Sequence, residues 1–370
     1  MKEVLFVINS LRFGGAEHML LNILQQIDYS RYDVSLVYFV KDGVYTAEVP
    51  KQVKRIRPFT KGTRLTNLLY SLLQRLGLLN KWYRRRTLDS IGHYDAIISY
   101  LEGFPVLVHS LITERGKKNI SFIHTDLKAF PDALQQLGGK ECCQDAYNKM
   151  DQMAFVSPTA LDSFKEVFPG ITSRLTVLPN FIDIQGVLEK GNDYVLEKKK
   201  FNVTTISRLA PVKGIDIIPF VAAAIKARGE DVHFYIVGDG SERKHIEELI
   251  LSNGVSESVN LVGYRTNPYP YLKNADIYLS TSISEGMPLS FCEAMAFGKP
   301  IVASRTAGSM YLLDESIGII VDRTIDSFVD AICSLIHNKI KRQKMGIFAR
   351  ERSLNYGSEP YISALYKMIG

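Results

Sequence analysis

The sequence predicts an α/β protein made of two successive Rossmann-like domains that face each other across a cleft. Short apolar runs alternate with helical patterns along most of the 370 residues. That is the rhythm of strand–helix–strand units, in which a parallel sheet is covered by helices on both faces. The rhythm breaks once, between Asn180 and Lys200, and then restarts. The length agrees, since 370 residues exceed what one hydrophobic core ordinarily serves. Ligands of such sheets bind outside the carboxyl ends of the strands, so the cleft is the expected site.

In the first domain, residues 1–180, residues 3–8 read as a strand and Glu17–Ile27 as an amphipathic helix. Val34–Val40, Ala96–Tyr100, Ile120–His124 and Met153–Val156 read as further strands. Residues 181–200 carry Gly, Asn, Asp and a lysine run with little periodicity, and read as a hinge. The second domain, 201–350, offers strands at Phe201–Ile206, His233–Val237, Val259–Val262, Ile277–Leu279, Ile301–Ala303 and Ile317–Val321. Within the tail, 351–370, Tyr361, Leu365, Tyr366 and Met368 mark a short helix that is free to pack back on the first domain.

Composition places the chain among globular proteins, with 46% hydrophobic and 23% charged residues. No apolar run approaches the roughly 18 residues of a membrane span. The chain opens on the strand-like Val4–Ile8 rather than on a leader pattern, so a cytoplasmic location is expected. Cys142, Cys143, Cys292 and Cys333 lack metal-ligand spacing and read as free thiols.

The net charge of +6 is unevenly spread: Lys51 to Arg86 holds eleven Lys/Arg and no acid, leaving 34 basic against 39 acidic residues elsewhere. Within this span Leu65, Leu68, Leu69, Leu72, Leu73, Leu76 and Leu79 recur at helical spacing, followed by Lys81, Trp82, Tyr83, Arg84, Arg85 and Arg86. An apolar face flanked by cations and interfacial aromatics suits an anionic membrane surface. A domain helix with core-facing leucines and solvated arginines is the other reading. Nucleic acid is a poor partner, because few aromatics interleave with the cations and no recognition module is visible.

Three segments carry chemistry. The first strand runs into Gly14-Gly15-Ala16-Glu17. Paired glycines before a helix admit a ligand to its N-terminal N–H groups, although a tight turn alone has the same signature. In the second domain the strand 201–206 leads into Ser207-Arg208-Leu209-Ala210-Pro211-Val212-Lys213-Gly214. A fork donor and a point charge at a strand end suit a diphosphate, and the competing reading is a solvated loop. After Ile277–Leu279 comes Ser284-Glu285-Gly286-Met287-Pro288-Leu289, with Glu293 a turn inside the helix that Pro288 opens. Ionised carboxylates only accept hydrogen bonds and so suit sugar hydroxyls. The N–H groups between Met287 and Ser290 lack intrahelical acceptors and suit phosphate.

The segment Glu285–Glu293 resembles the E-x7-E signature of glycosyltransferase family 4, whose members have the GT-B fold. Gly14–Glu17, Ser157, Pro179–Asp183, Ser207-Arg208, Lys213-Gly214, Val237–Gly240 and Ala294–Pro300 match the family's order, so the resemblance runs from residue 4 to about 303. It implies that Glu293 holds the donor's ribose, that Glu285 binds hydroxyls of the transferred sugar, and that Arg208 and Lys213 neutralise the diphosphate. Gly15 lends a backbone N–H. His124 resembles a histidine near the donor sugar, but Asp126 does not follow it directly, and a core histidine at a strand end is the alternative. Near the family's base-binding loop, Tyr264 or Arg265 flanks the nucleobase, or the segment is an exposed turn in which Tyr264 packs.

The expected activity is therefore retaining transfer of a hexosyl group from a nucleotide sugar, with UDP the favoured carrier, to a saccharide or lipid-linked acceptor in surface polysaccharide or glycolipid synthesis. No metal and no cofactor are expected, as no D-x-D-type cluster follows a strand of the second domain. Leaving-group charge would be met by Arg208, Lys213 and helix N-termini. An inactive donor-binding partner of another transferase and a nucleotide-sugar epimerase on the same fold are the alternatives.

Overall fold

The computed structural model describes residues 1–12, 14–40, 43–57, 91–128, 140–197 and 201–370. They form two compact units: residues 1–180 with 359–370, and residues 181–358. Among the described residues no helix is long and apolar enough to cross a membrane.

The first unit is built on a seven-stranded sheet ordered β3-β2-β1-β4-β5-β6-β7, every pair parallel. The strands are β1 (Lys2–Ile8), β2 (Tyr32–Tyr38), β3 (Lys54–Ile56), β4 (Tyr94–Ser99), β5 (Gly116–Ile123), β6 (Gln152–Phe155) and β7 (Arg174–Val177). Val4 to Ile8 are buried without alternation, as expected of a central strand covered on both faces. Helices α1 (Gly15–Gln26), α2 (Phe104–Ser110), α3 (Lys140–Tyr147) and α4 (Pro158–Val167) belong to this unit. The Ser157 side chain caps α4 by accepting the Ala160 N–H at 3.1 Å.

Strands β3 and β7 were absent from the sequence reading, and both are sheet edges. In β3 only Ile56 is buried, and in β7 no residue is fully buried. An edge strand carries no continuous apolar run, and exposed Lys54 and Arg55 are the kind of charge that blunts an open edge. The first part of the basic span, Lys51–Arg57, precedes the leucine pattern and contributes to a sheet edge. Its remainder, including Lys81, Trp82, Arg84, Arg85 and Arg86, lies outside the described residues.

The second unit has a six-stranded parallel sheet ordered β10-β9-β8-β11-β12-β13. Its strands are β8 (Asn202–Ile206), β9 (His233–Val237), β10 (Val259–Gly263), β11 (Ile277–Ser280), β12 (Ile301–Ser304) and β13 (Gly318–Val321). Its helices are α5 (Ile184–Lys190), α6 (Ile218–Ala227), α7 (Arg243–Ser252), α8 (Tyr269–Asn274), α9 (Leu289–Ala296), α10 (Ala307–Leu312), α11 (Ile325–His337) and α12 (Lys339–Ser353). In both sheets the order reverses beside the first strand, between β1 and β4 and between β8 and β11. These are the switch points where such sheets bind ligands.

Two boundaries differ from the sequence reading. The segment 181–200 is no bare linker: it holds α5, which Asp183 caps by accepting the Gly186 N–H at 3.1 Å. Seven residues are too few to show periodicity. The boundary at 351 falls inside α12, and the second unit continues to Ser358. The last helix, α13 (Ser358–Ile369), buries Tyr361, Ile362, Leu365, Met368 and Ile369, and residues 359–370 belong to the first unit. There the Asp28 N–H donates to the Tyr366 hydroxyl at 2.7 Å, and Tyr366 stacks on Tyr32 at 4.6 Å.

A fully buried histidine fixes part of this unit's pH response. His109 Nε2 lies 3.0 Å from Asn119 Oδ1, and Nδ1 lies 3.0 Å from Ser99 Oγ. An amide oxygen only accepts, so Nε2 carries the proton and the Ser99 hydroxyl donates to Nδ1. Burial lowers the His109 pKa to about 4 from 6.5. Between those values the unfolded chain binds the extra proton, so stability falls as pH drops from 6.5 toward 4, by about 1.4 kcal/mol per unit. Thermal melts of His109→Gln and wild type should diverge across this window, with the wild type losing more. Parallel pH slopes would contradict the assignment.

Candidate active site

The second unit gathers its charged groups at the carboxyl ends of β8 and β11. After β8, the loop 207–209 lies against 238–240: Ser207 N–H donates to the Val237 carbonyl at 3.0 Å, and Leu209 N–H to that of Asp239 at 3.0 Å. Gly238 permits this, since its φ is +142° and a Cβ there would sit 1.9 Å from the Ser207 carbonyl oxygen. Arg208 is thereby presented at the strand end. It is exposed, and its guanidinium has no protein partner among the described residues.

Lys213 closes the short 3-10 turn Pro211–Lys213, and Gly214 follows in the left-handed region at φ +56°. A Cβ at Gly214 would meet the Thr281 carbonyl oxygen at 2.5 Å, so glycine lets this turn approach the loop after β11. The Lys213 ammonium pairs with Glu285 Oε1 at 2.5 Å, with both side chains largely buried. The Ser282 hydroxyl donates to the same oxygen at 2.7 Å. Glu285 Oε2 takes neither bond and has no partner among the described residues. The loop is pinned from behind, where the Gly308 N–H of α10 donates to the Glu285 carbonyl at 2.8 Å. Thr306 caps α10 through a reciprocal pair with Ser309.

Helix α9 begins at Leu289 with Pro288 as its cap residue, so Gly286, Met287 and Pro288 form the entry turn and Glu293 lies one turn inside. Met287, Pro288 and Leu289 are buried. Glu293 is 7% exposed, and the Tyr269 hydroxyl donates to its Oε1 at 3.1 Å. Burial raises its pKa to about 7, partly offset by the Tyr269 bond and the Lys190 charge. Glu285 and Glu293 share a neighbourhood, because both carboxylates hold up the pKa of the buried Tyr278 hydroxyl, behind the main cause, burial. Tyr264 stands exposed just past β10, two strands from β8.

In the first unit, Gly14 and Gly15 precede α1. Gly14 has φ 170°, an extended value that any residue adopts, so backbone freedom does not explain it. The space a Cβ would fill at Gly14 is taken by the Glu17 carboxylate, whereas Gly15 has open space. His124 follows β5, its ring tilted against that of Tyr100 with centroids 4.9 Å apart, and its backbone N–H donates to Glu102 Oε2 at 2.9 Å. Burial lowers the His124 pKa to about 3, which makes the ring neutral near pH 7. Among the described residues its Nε2 is buried without a hydrogen-bond partner, as is Asn9 Oδ1. These groups stand at the carboxyl ends of β1 and β5, either side of β4.

The structure thus brings together Lys213, Glu285 and the Met287–Leu289 turn, and sets Arg208 and Glu293 on the same strand ends and helix. Sequence reasoning passed over Ser282, Tyr269 and Glu102. Ser282, three residues before Glu285, was within reach of a local reading. Tyr269 and Glu102 act through contacts 24 and 22 residues away, which no local pattern encodes. Among the described residues there is no group of three or more His, Cys, Asp or Glu that could hold a metal ion.

Comparison with known proteins bears on the family and the fold. Residues 13–185 match the model of glycosyltransferase family 4, and residues 189–352 that of the glycosyl transferases group 1. The chain is 30% identical over 196 residues to the poly(ribitol-phosphate) α-N-acetylglucosaminyltransferase of Staphylococcus aureus, a match covering 50% of this chain and 40% of that protein. It is 23% identical over 352 residues to the UDP-Gal:α-D-GlcNAc-diphosphoundecaprenol α-1,3-galactosyltransferase of Escherichia coli, covering 88% and 86% of the two chains. The crystal structure of Anabaena HepE in complex with UDP and glucose superposes over 100% of this chain and 99% of that one, with TM-score 0.77 and 20% identity, a likeness of fold. The chain belongs to the family 4, group 1 glycosyltransferases, hexosyltransferase-type enzymes of the GT-B fold.

Proposed function

We propose that the protein transfers a hexosyl group from a UDP-sugar, with retention at the anomeric carbon, onto a saccharide or lipid-linked acceptor in cell-surface glycan synthesis. UDP as carrier is supported by the UDP complex of HepE, and the acceptor class by the polymer and the diphosphoundecaprenol substrates of the relatives. The observation that carries the reading is the Lys213–Glu285–Ser282 cluster at the switch point of the second sheet. It sets a cation and a half-satisfied carboxylate side by side where a sugar diphosphate would lie.

In this reading the buried Glu293 accepts the ribose hydroxyls and Tyr264 flanks the base. Arg208, Lys213 and the α9 N-terminus take the diphosphate. Without donor, Lys213 and Glu285 neutralise each other. With donor, Lys213 turns to the phosphates and Glu285 accepts sugar hydroxyls through Oε2. Transfer forms the bond from the acceptor oxygen to the anomeric carbon and breaks the bond from that carbon to the β-phosphate oxygen. The acceptor's proton passes to the departing phosphate, and fixed positive charge stabilises the oxygen as it leaves. His124, neutral, serves as a hydrogen-bonding group and not as a cation.

No metal takes part in this scheme, and the enzyme works at the inner face of the membrane that holds its acceptor. A screen of UDP- and GDP-sugars by slow hydrolysis and by binding, with and without EDTA, tests it. A UDP-sugar should be selected, the rate should survive chelation, and the product should keep the donor's anomeric configuration by NMR. Inhibition by EDTA that Mg²⁺ or Mn²⁺ reverses would overturn the metal-free part. Selection of GDP-sugars alone would overturn the carrier.

A further inference from the structure

The loop that follows β9 lies between the Arg208 loop and the turn beyond β10, and it is bonded to both. On one side the Leu209 N–H donates to the Asp239 carbonyl at 3.0 Å, and the Glu242 N–H to the Leu209 carbonyl at 3.1 Å. Gly240 admits that approach, since a Cβ there would stand 2.2 Å from the Leu209 carbonyl oxygen. On the other side the Gly238 N–H donates to the Gly263 carbonyl at 3.0 Å. The ladder between β9 and β10 is irregular at this point. Leu261 faces Ile236 and Gly263 faces Val237, so Val262 is an extra residue, a bulge. Gly263 then turns with φ +82°, and Tyr264 and Arg265 follow, exposed, at the carboxyl end of the strand. A bulge beside a site re-aims the side chains that come after it.

Arg243, the first residue of α7, fills the space beside that turn. A Cβ at Gly263 would lie 3.2 Å from its Nη1. The same nitrogen pairs with Asp239 Oδ2 at 3.3 Å, and Nε donates to Glu247 Oε1 at 2.9 Å. Asp239 is itself fixed, since its Oδ1 accepts the Gly240 N–H at 2.8 Å. The guanidinium is thus held from both sides, by the loop after β9 and by the next turn of α7. Half-exposed ion pairs of this kind add little to stability. Two of them on one guanidinium fix its place instead, against the glycine that turns the chain into Tyr264.

We propose that Arg243 is a positioning residue for nucleobase binding: tied to Asp239 and Glu247, it holds the β10 bulge and so sets where Tyr264 meets the base. This rests on the reading of Tyr264 as the residue that flanks the base. Calorimetric titration of the full-length protein tests it, with UDP or GDP, whichever the wild type binds, for Arg243→Ala, Tyr264→Ala and the double variant. Tyr264→Ala should weaken binding about tenfold, as for an aromatic face lost from a base. Arg243→Ala should weaken it about three- to tenfold, and the double variant should stay within about twofold of Tyr264→Ala, because both changes remove one contact. Arg243→Lys, which keeps the charge and loses the fork, should recover part of the loss. Melting temperatures without nucleotide should be alike, as the ion pairs are half exposed. Losses that add in the double variant would overturn the assignment, since they would give Arg243 an effect that does not pass through Tyr264. So would wild-type affinity in Arg243→Ala. Wild-type affinity in Tyr264→Ala would instead remove the reading of Tyr264, and this role with it, while leaving the diphosphate residues untouched.

Discussion

Replacing Arg208 with alanine is expected to lower kcat by roughly tens to a thousandfold, the range for removing a group that stabilises charge on a leaving oxygen. The melting temperature should barely move. Arg208 is exposed and its guanidinium holds no partner among the described residues, so its loss breaks no contact seen there. Steady-state kinetics with a UDP-sugar should show the loss mainly in kcat, since diphosphate charge grows as the bond to the sugar breaks. Arg208→Lys keeps the charge and loses the fork, so partial recovery is expected. Full activity in Arg208→Ala would remove the diphosphate assignment.

Glu293 is expected to separate function from stability in the opposite sense. Its folded pKa is raised to about 7 from 4.5, chiefly by burial. The folded protein therefore binds more protons between those values, and stability is lost as pH rises through 7. The ionised carboxylate costs the fold up to about 3 kcal/mol, at 1.4 per unit. Glu293→Gln keeps the shape and removes that cost, so its melting temperature at pH 8 should rise by several degrees. The same variant should bind UDP-sugar about ten- to a hundredfold more weakly, since a carboxylate accepting neutral hydroxyls is worth roughly 1.5–3 kcal/mol. Wild-type donor affinity should fall as pH drops below 7, while the variant's stays flat. Calorimetry at pH 6 and pH 8 reads both effects. A variant that is neither more stable at pH 8 nor weaker in binding would refute the role.

A buried carboxylate that opposes folding is the kind of residue retained for a ligand. It was legible in the sequence because three local signals coincide: a strand end, a Gly-x-Pro turn and a helix with Glu one turn inside. The turn at Lys213-Gly214 was legible for the same reason, glycine marking a place where backbone approaches backbone. What escaped was tertiary. The Tyr269 hydroxyl reaches Glu293 from another helix, and the Glu102 carboxylate holds the His124 N–H from a neighbouring strand end. Strands β3 and β7 escaped because sheet edges bury one side or less. Glu17 folds over Gly14, an arrangement set by a rotamer and not by a pattern.

The central claim is that Arg208, Lys213, Glu285 and Glu293 surround one sugar diphosphate. A crystal structure with an intact UDP-sugar tests it most directly. The account predicts Glu293 within hydrogen-bond distance of the ribose hydroxyls, Arg208 and Lys213 on phosphate oxygens, and Glu285 released from Lys213 onto the hexose. A bound nucleotide with Lys213 still paired to Glu285 and Glu293 still facing only Tyr269 would contradict it.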